Sequence, residues 1–307
     1  MFATLLAGAV CMAAPLASAQ RVSPFLPPEG ETVRTFGTEE IAPANGDSKV
    51  EIAPPSVEPQ TYRPPIFPKM VLLDTAHVLT SPFRWGGREW ALFSASTAAV
   101  AALSLADKSV SDAARERGPT LGTLGDTLEG LGDGRSFLLL GGFYLAGVIG
   151  HDTKAKNVFF DGLSASLIAS GILTPVLSTL VGRERPTVEQ GAYSFHPSEG
   201  RSLPSGHSTQ AFAVASVIAT SYDQLWVGVA AYGAATVGSY ARVRRGKHFP
   251  TDVVVGAVIG TAVGRSVVHF NRKLRSGEKE PEGAGTRLTL LPLLGDGTLG
   301  VSATLDF

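Results

Sequence analysis

Long apolar blocks separated by short polar stretches run through the middle of the chain, and Ala, Gly, Leu and Val dominate them. These blocks show too little strict alternation of apolar and polar residues for half-buried strands, so the pattern favours helices. The sequence therefore predicts a helical core built from six apolar segments. They are Glu89–Ala106, Ser136–Ile149, Val158–Val181, Ser208–Ser221, Gln224–Tyr240 and Asp252–Phe270.

Both ends of the chain differ from this core. In residues 1–19 an apolar run ends in Ala-Ser-Ala, which predicts a signal peptide cleaved after Ala19 or, alternatively, an uncleaved anchor helix. Residues 20–68 are rich in Pro, Glu, Thr and Gly, and they predict a disordered lead. Residues 69–274 form the predicted helical domain, which opens with the amphipathic stretch KMVLLDTAHVLTSP. In residues 275–307, two alternating runs around Gly-Asp-Gly predict a linker and a β-hairpin.

Composition limits the function further. The chain has 307 residues, of which 44% are hydrophobic, and this is enough for one large core. The 26 basic and 27 acidic residues nearly balance, so no basic excess is available to bind nucleic acid. The only cysteine, Cys11, lies in the predicted signal peptide, so the mature chain would have no disulfide and no thiolate chemistry.

The relation of the six segments to a membrane stays open at this point. Several have only 14–18 residues, and Asp161, Pro175 and Arg265 interrupt others. They fit either short spans of a membrane enzyme or core helices of a soluble or peripheral bundle. If the signal peptide is cleaved and all six segments span, the basic cluster RKLRSGEK after the last segment would face outward, against the positive-inside tendency.

Three polar stretches at segment ends carry the candidate chemistry. They are VGRERP, RSLPSGHS and SYARVRRGKHFPTDV, beginning at Val181, Arg201 and Ser239. In an up-and-down bundle, these stretches share one end, because each lies beyond an odd-numbered segment. The sequence therefore predicts a single site.

The residues of this site suit a phosphate. Guanidinium groups bind phosphate oxygens in a bidentate way, and the stretches supply Arg183, Arg185 and Arg242. Ser205 and Gly206 open a predicted helix, whose free N–H groups and dipole favour an anion. Further cations lie nearby in the sequence: Arg201, Arg244, Arg245 and Lys247.

Two histidines complete the candidate site. Asp252 lies one helical turn after His248 and could accept its Nδ1 proton, which would leave Nε2 free as a nucleophile. His207 could then donate a proton to the leaving oxygen. A dinuclear metal site fits less well, because the segments lack the additional ligands that two metals need. Taken alone, each stretch has an ordinary interpretation as a capped turn, a surface pair or membrane-flanking arginines. Ser205 and Ser208 without a Gly-x-Ser-x-Gly elbow do not indicate a serine hydrolase.

Together, the three stretches resemble the signature of the superfamily of type 2 phosphatidic acid phosphatases and vanadium-dependent haloperoxidases. That signature contains Lys, six residues and Arg-Pro, then Pro-Ser-Gly-His, then Ser-Arg, five residues, His, three residues and Asp. The matching positions are Arg185-Pro186, Pro204 to His207, and Arg242, His248 and Asp252. The resemblance covers about residues 85–272, and it implies an all-α fold with a six-helix bundle core.

The resemblance also implies residue roles. His248 corresponds to the nucleophile, Asp252 to its orienting carboxylate and His207 to the general acid. Arg185, Arg242, Ser205 and Gly206 correspond to the phosphate cradle. Arg183 is predicted as a further phosphate ligand from its charge and its place in the first stretch, not from the resemblance. The resemblance implies a phosphatase without metal or other cofactor. Two positions depart from the signature: Ser178 replaces a lysine and Ala241 replaces a serine.

These observations predict an exported, metal-independent phosphatase of the bacterial cell envelope that acts through a phosphohistidine. The predicted substrate is a phosphate ester, either a lipid phosphate such as phosphatidate or an isoprenoid diphosphate. The protein would be integral or membrane-associated, with its active site on the periplasmic side. Alternatives are a soluble periplasmic acid phosphatase, a vanadate-dependent haloperoxidase, and an envelope protein whose activity is impaired by Ser178. The sequence does not define the oligomeric state.

Overall fold

The computed structural model describes residues 66–116, 122–188 and 191–276, together with the backbone of residues 287–295 and 298–306. The predicted signal peptide and nearly all of the predicted lead lie outside these residues. Within the described part the chain is predominantly helical, which confirms the predicted helical class.

The helices follow the apolar segments closely. In chain order they are α1 (Phe67–Thr80), α2 (Gly87–Ser104), α3 (Asp107–Glu116), α4 (Gly122–Leu128), α5 (Arg135–Ile149), α6 (Thr153–Ser166), α7 (Thr174–Val181), α8 (Gly206–Ser221), α9 (Leu225–Arg244) and α10 (Pro250–Ser276). Short 3₁₀ turns occupy Ser81–Arg84, Glu129–Gly132 and Pro186–Val188. The loop 107–135 between the first two apolar segments contains both α3 and α4.

The third apolar segment is not a uniform helix. A π-helical stretch, Leu167–Leu173, connects α6 to α7. Pro175 has no N–H group to donate to the preceding turn, and the wider π turn accommodates this gap. The Thr174 hydroxyl donates to the carbonyl oxygen of Ala169 at 2.9 Å, which satisfies one of the carbonyls in the stretch.

Helix α8 lies at the centre of the fold, and most of its residues are buried. Its neighbour α10 approaches it along Gly256, Gly260 and Gly264. A Cβ atom at these three positions would lie 2.6, 2.3 and 2.6 Å from backbone oxygens of the α8 region. Small residues four apart therefore allow the two helix backbones to pack at close range. This contact places the first turn of α10 beside the first turn of α8.

Two helical stretches of the described residues are long and apolar enough to cross a membrane, Thr153–Val181 and Pro250–Ser276. A third candidate is the pair α2 and α3, which is bent by 58°. The outer face of α5 is also strongly apolar, since Leu138, Leu145 and Ile149 are 76%, 59% and 79% exposed. Such a face is unusual on a protein surrounded only by water.

Two antiparallel strands follow the helices. Strand β1 (Arg287–Gly295) pairs with β2 (Thr298–Asp306), with Gly295 opposite Thr298 and Arg287 opposite Asp306. They lie in the region where the sequence predicts a hairpin.

Candidate active site

The three polar stretches meet at one end of the bundle, where main-chain hydrogen bonds connect them. The Ser202 N–H donates to the carbonyl oxygen of Arg183 at 2.8 Å, and the Ser205 N–H donates to that of Asp252 at 2.9 Å. The first stretch leaves α7 through Gly182, whose φ of 62° favours glycine. The second stretch enters α8, and the third connects α9 to α10. The residues that the sequence assigned to one site therefore do come together.

His248 is almost fully buried, and its orientation is set by the backbone. Its Nδ1 atom lies 2.9 Å from the carbonyl oxygen of Ser202. A carbonyl oxygen only accepts hydrogen bonds, so Nδ1 carries the proton and the lone pair of the neutral ring lies on Nε2. This is the tautomer that a nucleophilic Nε2 requires.

Asp252 acts on this ring differently from the prediction. Its nearest carboxylate oxygen lies 3.7 Å from Nδ1 of His248, which is too far for a hydrogen bond. That oxygen instead accepts hydrogen bonds from the Ser202 hydroxyl at 2.6 Å and the Phe249 N–H at 2.8 Å. Asp252 therefore orients His248 through the two backbone segments on either side of the ring.

Arg183 is placed differently from the prediction that it binds phosphate. Its side chain is only 2% exposed, and it bridges two buried carboxylates, those of Asp107 at 2.6 Å and Asp252 at 2.8 Å. It also donates to the Thr251 hydroxyl and twice to the carbonyl oxygen of Ala192. These five hydrogen bonds use all five donors of the guanidinium group. No donor is left for a phosphate, so Arg183 holds α3, α10 and the first stretch together.

Arg185, two residues further on, is exposed, and it forms no ion pair with another described residue. Arg183 pairs with Phe195 in an isolated β-bridge and is buried, whereas Arg185 lies directly before the 3₁₀ turn Pro186–Val188 and its side chain is exposed. Arg185 is therefore free to bind an anion.

Arg242 has an acidic partner that sequence reasoning missed. Its guanidinium group forms an ion pair with Glu129, which also accepts a hydrogen bond from Arg245 at 2.6 Å. Arg244 and Arg245 both contact Asp126 at 2.8 Å. The Nε atom of Arg242 is buried and has no hydrogen-bond partner among the described residues. Glu129 lies 113 residues from Arg242 in a Gly-rich loop, and only its charge could have drawn attention to it.

His207 lies in the first turn of α8 and is partly buried. Burial, with a further contribution from the nearby positive charge of Arg242, lowers the pKa of His207 to about 4. The charges of Glu129 and Asp133 oppose this shift, and that of His248 adds to it. The turn Glu129–Gly132 packs closely against the backbone of His207. A Cβ atom at Gly132 would lie 2.5 Å from the His207 carbonyl oxygen.

At the start of α8, Gly206 and His207 are partly exposed. Ser205 is buried at the N-cap position, and its side chain makes no capping hydrogen bond. A Cβ at Gly206 would meet only Thr174, at an ordinary 3.6 Å. Packing within the protein therefore does not require glycine at this position. The N–H groups of the first turn of α8 can bind an anion here.

Ser178, the position of the missing lysine, lies on α7 and is 6% exposed. Its hydroxyl donates to the carbonyl oxygen of Pro175 at 3.1 Å. Thr174 lies one turn earlier on the same face of α7 and contacts the Gly206 position. Ser178 therefore lies close to the site but brings no charge. Arg201 and Lys247, two of the further cations in the polar stretches, are exposed.

The comparison with protein families agrees with this geometry. Residues 162–276 match the model described as the PAP2 superfamily. These residues contain α7, α8, α9, α10 and all three polar stretches. The match agrees with the resemblance that the three motifs carry.

Similar proteins include two lipid A 1-phosphatases. The one from Rhizobium etli is 29% identical over 199 residues, which are 58% of this chain and 82% of that protein. The one from Rhizobium johnstonii is 31% identical over 121 residues, which are 35% of this chain and 48% of that protein. Among solved structures, Aquifex aeolicus LpxE is 26% identical with a TM-score of 0.43, and the match covers 53% of this chain and 94% of that chain.

Proposed function

We propose that the protein is a membrane-embedded phosphatase that hydrolyses a lipid-borne phosphomonoester through a phosphohistidine at His248. The observation that carries this proposal is the hydrogen bond from Nδ1 of His248 to the Ser202 carbonyl, because it fixes the reactive lone pair on Nε2. The charge of His248 contributes to the lowering of the His207 pKa, so His207 lies near enough to serve as a second proton carrier.

In the first step, Nε2 of His248 attacks phosphorus and the bond from phosphorus to the leaving oxygen breaks. Protonated His207 donates its proton to that oxygen, and the alcohol departs. In the second step, neutral His207 takes a proton from water, whose oxygen attacks the phosphohistidine. The bond from nitrogen to phosphorus then breaks, which releases phosphate and restores both histidines. No metal is invoked in either step.

The proposed phosphate cradle consists of Arg185, Arg242 and the first turn of α8 with Ser205 and Gly206. Preset donors of this kind stabilise the charge that develops on the oxygens in the transition state. Glu129 holds the Arg242 guanidinium in place through an ion pair. Arg183 is a positioning residue, because it acts only through Asp252 and Asp107.

A lipid substrate is supported by the surface of the protein and by its relatives. Two helical stretches are long enough to span a bilayer, and α5 presents an exposed apolar face. Two similar proteins are named lipid A 1-phosphatases. We therefore propose a lipid phosphate, with the 1-phosphate of lipid A as the first substrate to test. The active site is proposed to face the periplasm.

The test is a phosphate-release assay of the full chain in detergent with lipid A, phosphatidate, an isoprenoid diphosphate and a soluble aryl phosphate. We expect release from a lipid phosphate in the presence of a chelator, and at least about a thousandfold loss in His248→Ala. A Ser216→Ala variant is the control, since this buried serine of α8 bonds only to the Thr261 carbonyl. Full activity of His248→Ala would contradict the mechanism, and turnover confined to the aryl phosphate would contradict the lipid substrate.

A further inference from the structure

A cavity lies between α6, α8 and α10 at the end of the bundle opposite the active site. Its volume is about 270 Å³, and three cationic side chains line it: Lys154, Arg272 and Arg275. Asp161 is the one carboxylate among its lining residues. No part of the proposed phosphatase chemistry uses these groups.

The positive charge of this cavity is only partly neutralised. Arg275 binds the carboxylate of Asp161 with two hydrogen bonds, of 3.0 and 2.5 Å. Asn271 donates a further hydrogen bond to Asp161 at 3.0 Å. Asp161 is thus fully engaged by these neighbours.

Lys154 and Arg272 form no ion pair with any described carboxylate. Lys154 has its ammonium group 5.4 Å from the centre of the Tyr222 ring. Arg272 donates one hydrogen bond, at 2.5 Å, to the carbonyl oxygen of Thr220. Most donors of these two side chains remain available, and together they suit a phosphate oxygen.

The position of the cavity along α10 corresponds to the bilayer interface on the side opposite the active site. From Pro250 beside the active site to Arg272, α10 rises about 33 Å, close to the thickness of the hydrocarbon core. The three tryptophans of the chain lie at the same end. Trp226 opens α9, whose other end carries Arg242, and Trp85 and Trp90 lie at the start of α2, whose other end leads to Asp107. Tryptophans concentrate at membrane interfaces.

We propose that this cavity binds the phosphate of an anionic glycerophospholipid in the leaflet opposite the active site. The lipid phosphate would contact Lys154 and Arg272, while its acyl chains would lie along the apolar outer surface of the helices. This proposal rests on the membrane location proposed above, but it does not depend on catalysis. A phospholipid held here would fasten the end of α10 to α6 and α8.

The test uses delipidated full chain in a neutral detergent and measures the thermal unfolding midpoint. Added phosphatidylglycerol is expected to raise the midpoint by about 4 °C or more, and phosphatidylcholine is expected to have a much smaller effect. The double variant Lys154→Gln and Arg272→Gln should lose at least about half of this rise. Its midpoint without lipid and its phosphatase activity show whether it is folded.

Lys273→Gln is the matched control, because Lys273 carries the same charge at the same end but does not line the cavity. This variant should keep the full rise. If Lys273→Gln loses as much of the lipid-induced rise in midpoint as the double variant does, the attraction is unspecific and the proposal is wrong. The proposal is also wrong if the double variant keeps the full rise. If inorganic phosphate alone gives the rise, and the double variant abolishes it, the cavity binds a small anion and the lipid proposal is wrong. A failed phosphatase assay would leave all of these measurements interpretable.

Discussion

The Nδ1 atom of His248 lies 2.9 Å from the main-chain carbonyl oxygen of Ser202. These residues are 46 positions apart, and their contact joins the second polar stretch to the third. It determines which ring nitrogen carries the proton. Asp252 stabilises this contact because its carboxylate accepts a hydrogen bond from the Ser202 hydroxyl.

The first prediction concerns that support. Ser202→Ala keeps the carbonyl but removes the hydroxyl that donates to Asp252 at 2.6 Å. The carbonyl is then held less firmly, and we expect kcat to fall about tenfold with little change in KM. Steady-state kinetics with the best lipid substrate will measure this, with Ser216→Ala as the control for loss of a buried hydroxyl. An unchanged kcat would mean that Asp252 does not act through Ser202.

The second prediction separates two neighbouring arginines. Arg183→Met leaves Asp107 and Asp252 buried without their partner, and we expect it to destabilise the protein by about 3–5 kcal/mol. Arg185→Met changes an exposed side chain, so its effect on stability should stay within about 0.5 kcal/mol while kcat/KM falls at least about tenfold. Thermal unfolding and kinetics of both variants decide the matter. A stable Arg183→Met protein with weakened phosphate binding would restore the role that the sequence first suggested.

The third prediction concerns Ser178. A lysine here would extend from the face of α7 that contacts the Gly206 position, and its charge should raise kcat/KM about tenfold. Ser178→Met has a similar volume without the charge and serves as the control. If both variants lower activity equally, the position lacks the room or the direction to reach the phosphate. Ser178 would then belong to a site whose shape differs from that of family members with a lysine at this position.

The fourth prediction concerns pH. The pKa of His207 is lowered to about 4, so in the free protein the protonated acid is lost as the pH rises through that value. A bound phosphate adds negative charge next to the ring and raises the pKa of His207, so His207 stays protonated up to a higher pH in the complex. We therefore expect the alkaline fall of kcat at a higher pH than that of kcat/KM. His207→Gln, measured in parallel, should lose the shift between the two profiles, whereas a retained shift would assign it to another group.

The apolar segments predict most of the helices within a few residues, because long apolar runs depend on local composition alone. Contacts between distant positions are a different matter. The pairing of Arg183 with Asp107 spans 76 residues, and that of Arg242 with Glu129 spans 113. Neither pairing produces a periodic pattern in the sequence, so Asp107 and Glu129 could not be assigned to the site from the sequence alone.

The convergence of the three stretches was predictable from their positions at segment ends. The separate roles of the residues within each stretch were not. Arg183 and Arg185 are identical residues two positions apart, yet Arg183 is buried in a β-bridge with Phe195 and Arg185 is exposed beside the 3₁₀ turn Pro186–Val188. Likewise, the spacing of His248 and Asp252 suggested a direct hydrogen bond. The first turn of α10 instead turns the carboxylate towards Ser202 and Phe249.

The central claim is that phosphate passes through His248 rather than directly to water. The stereochemical course at phosphorus tests it most directly, with a lipid phosphate made chiral by three oxygen isotopes and an alcohol as the phosphoryl acceptor, because the ester product is again chiral at phosphorus. Two successive in-line displacements predict overall retention of configuration at phosphorus. Overall inversion would mean a single direct displacement by the acceptor and would contradict the phosphohistidine mechanism.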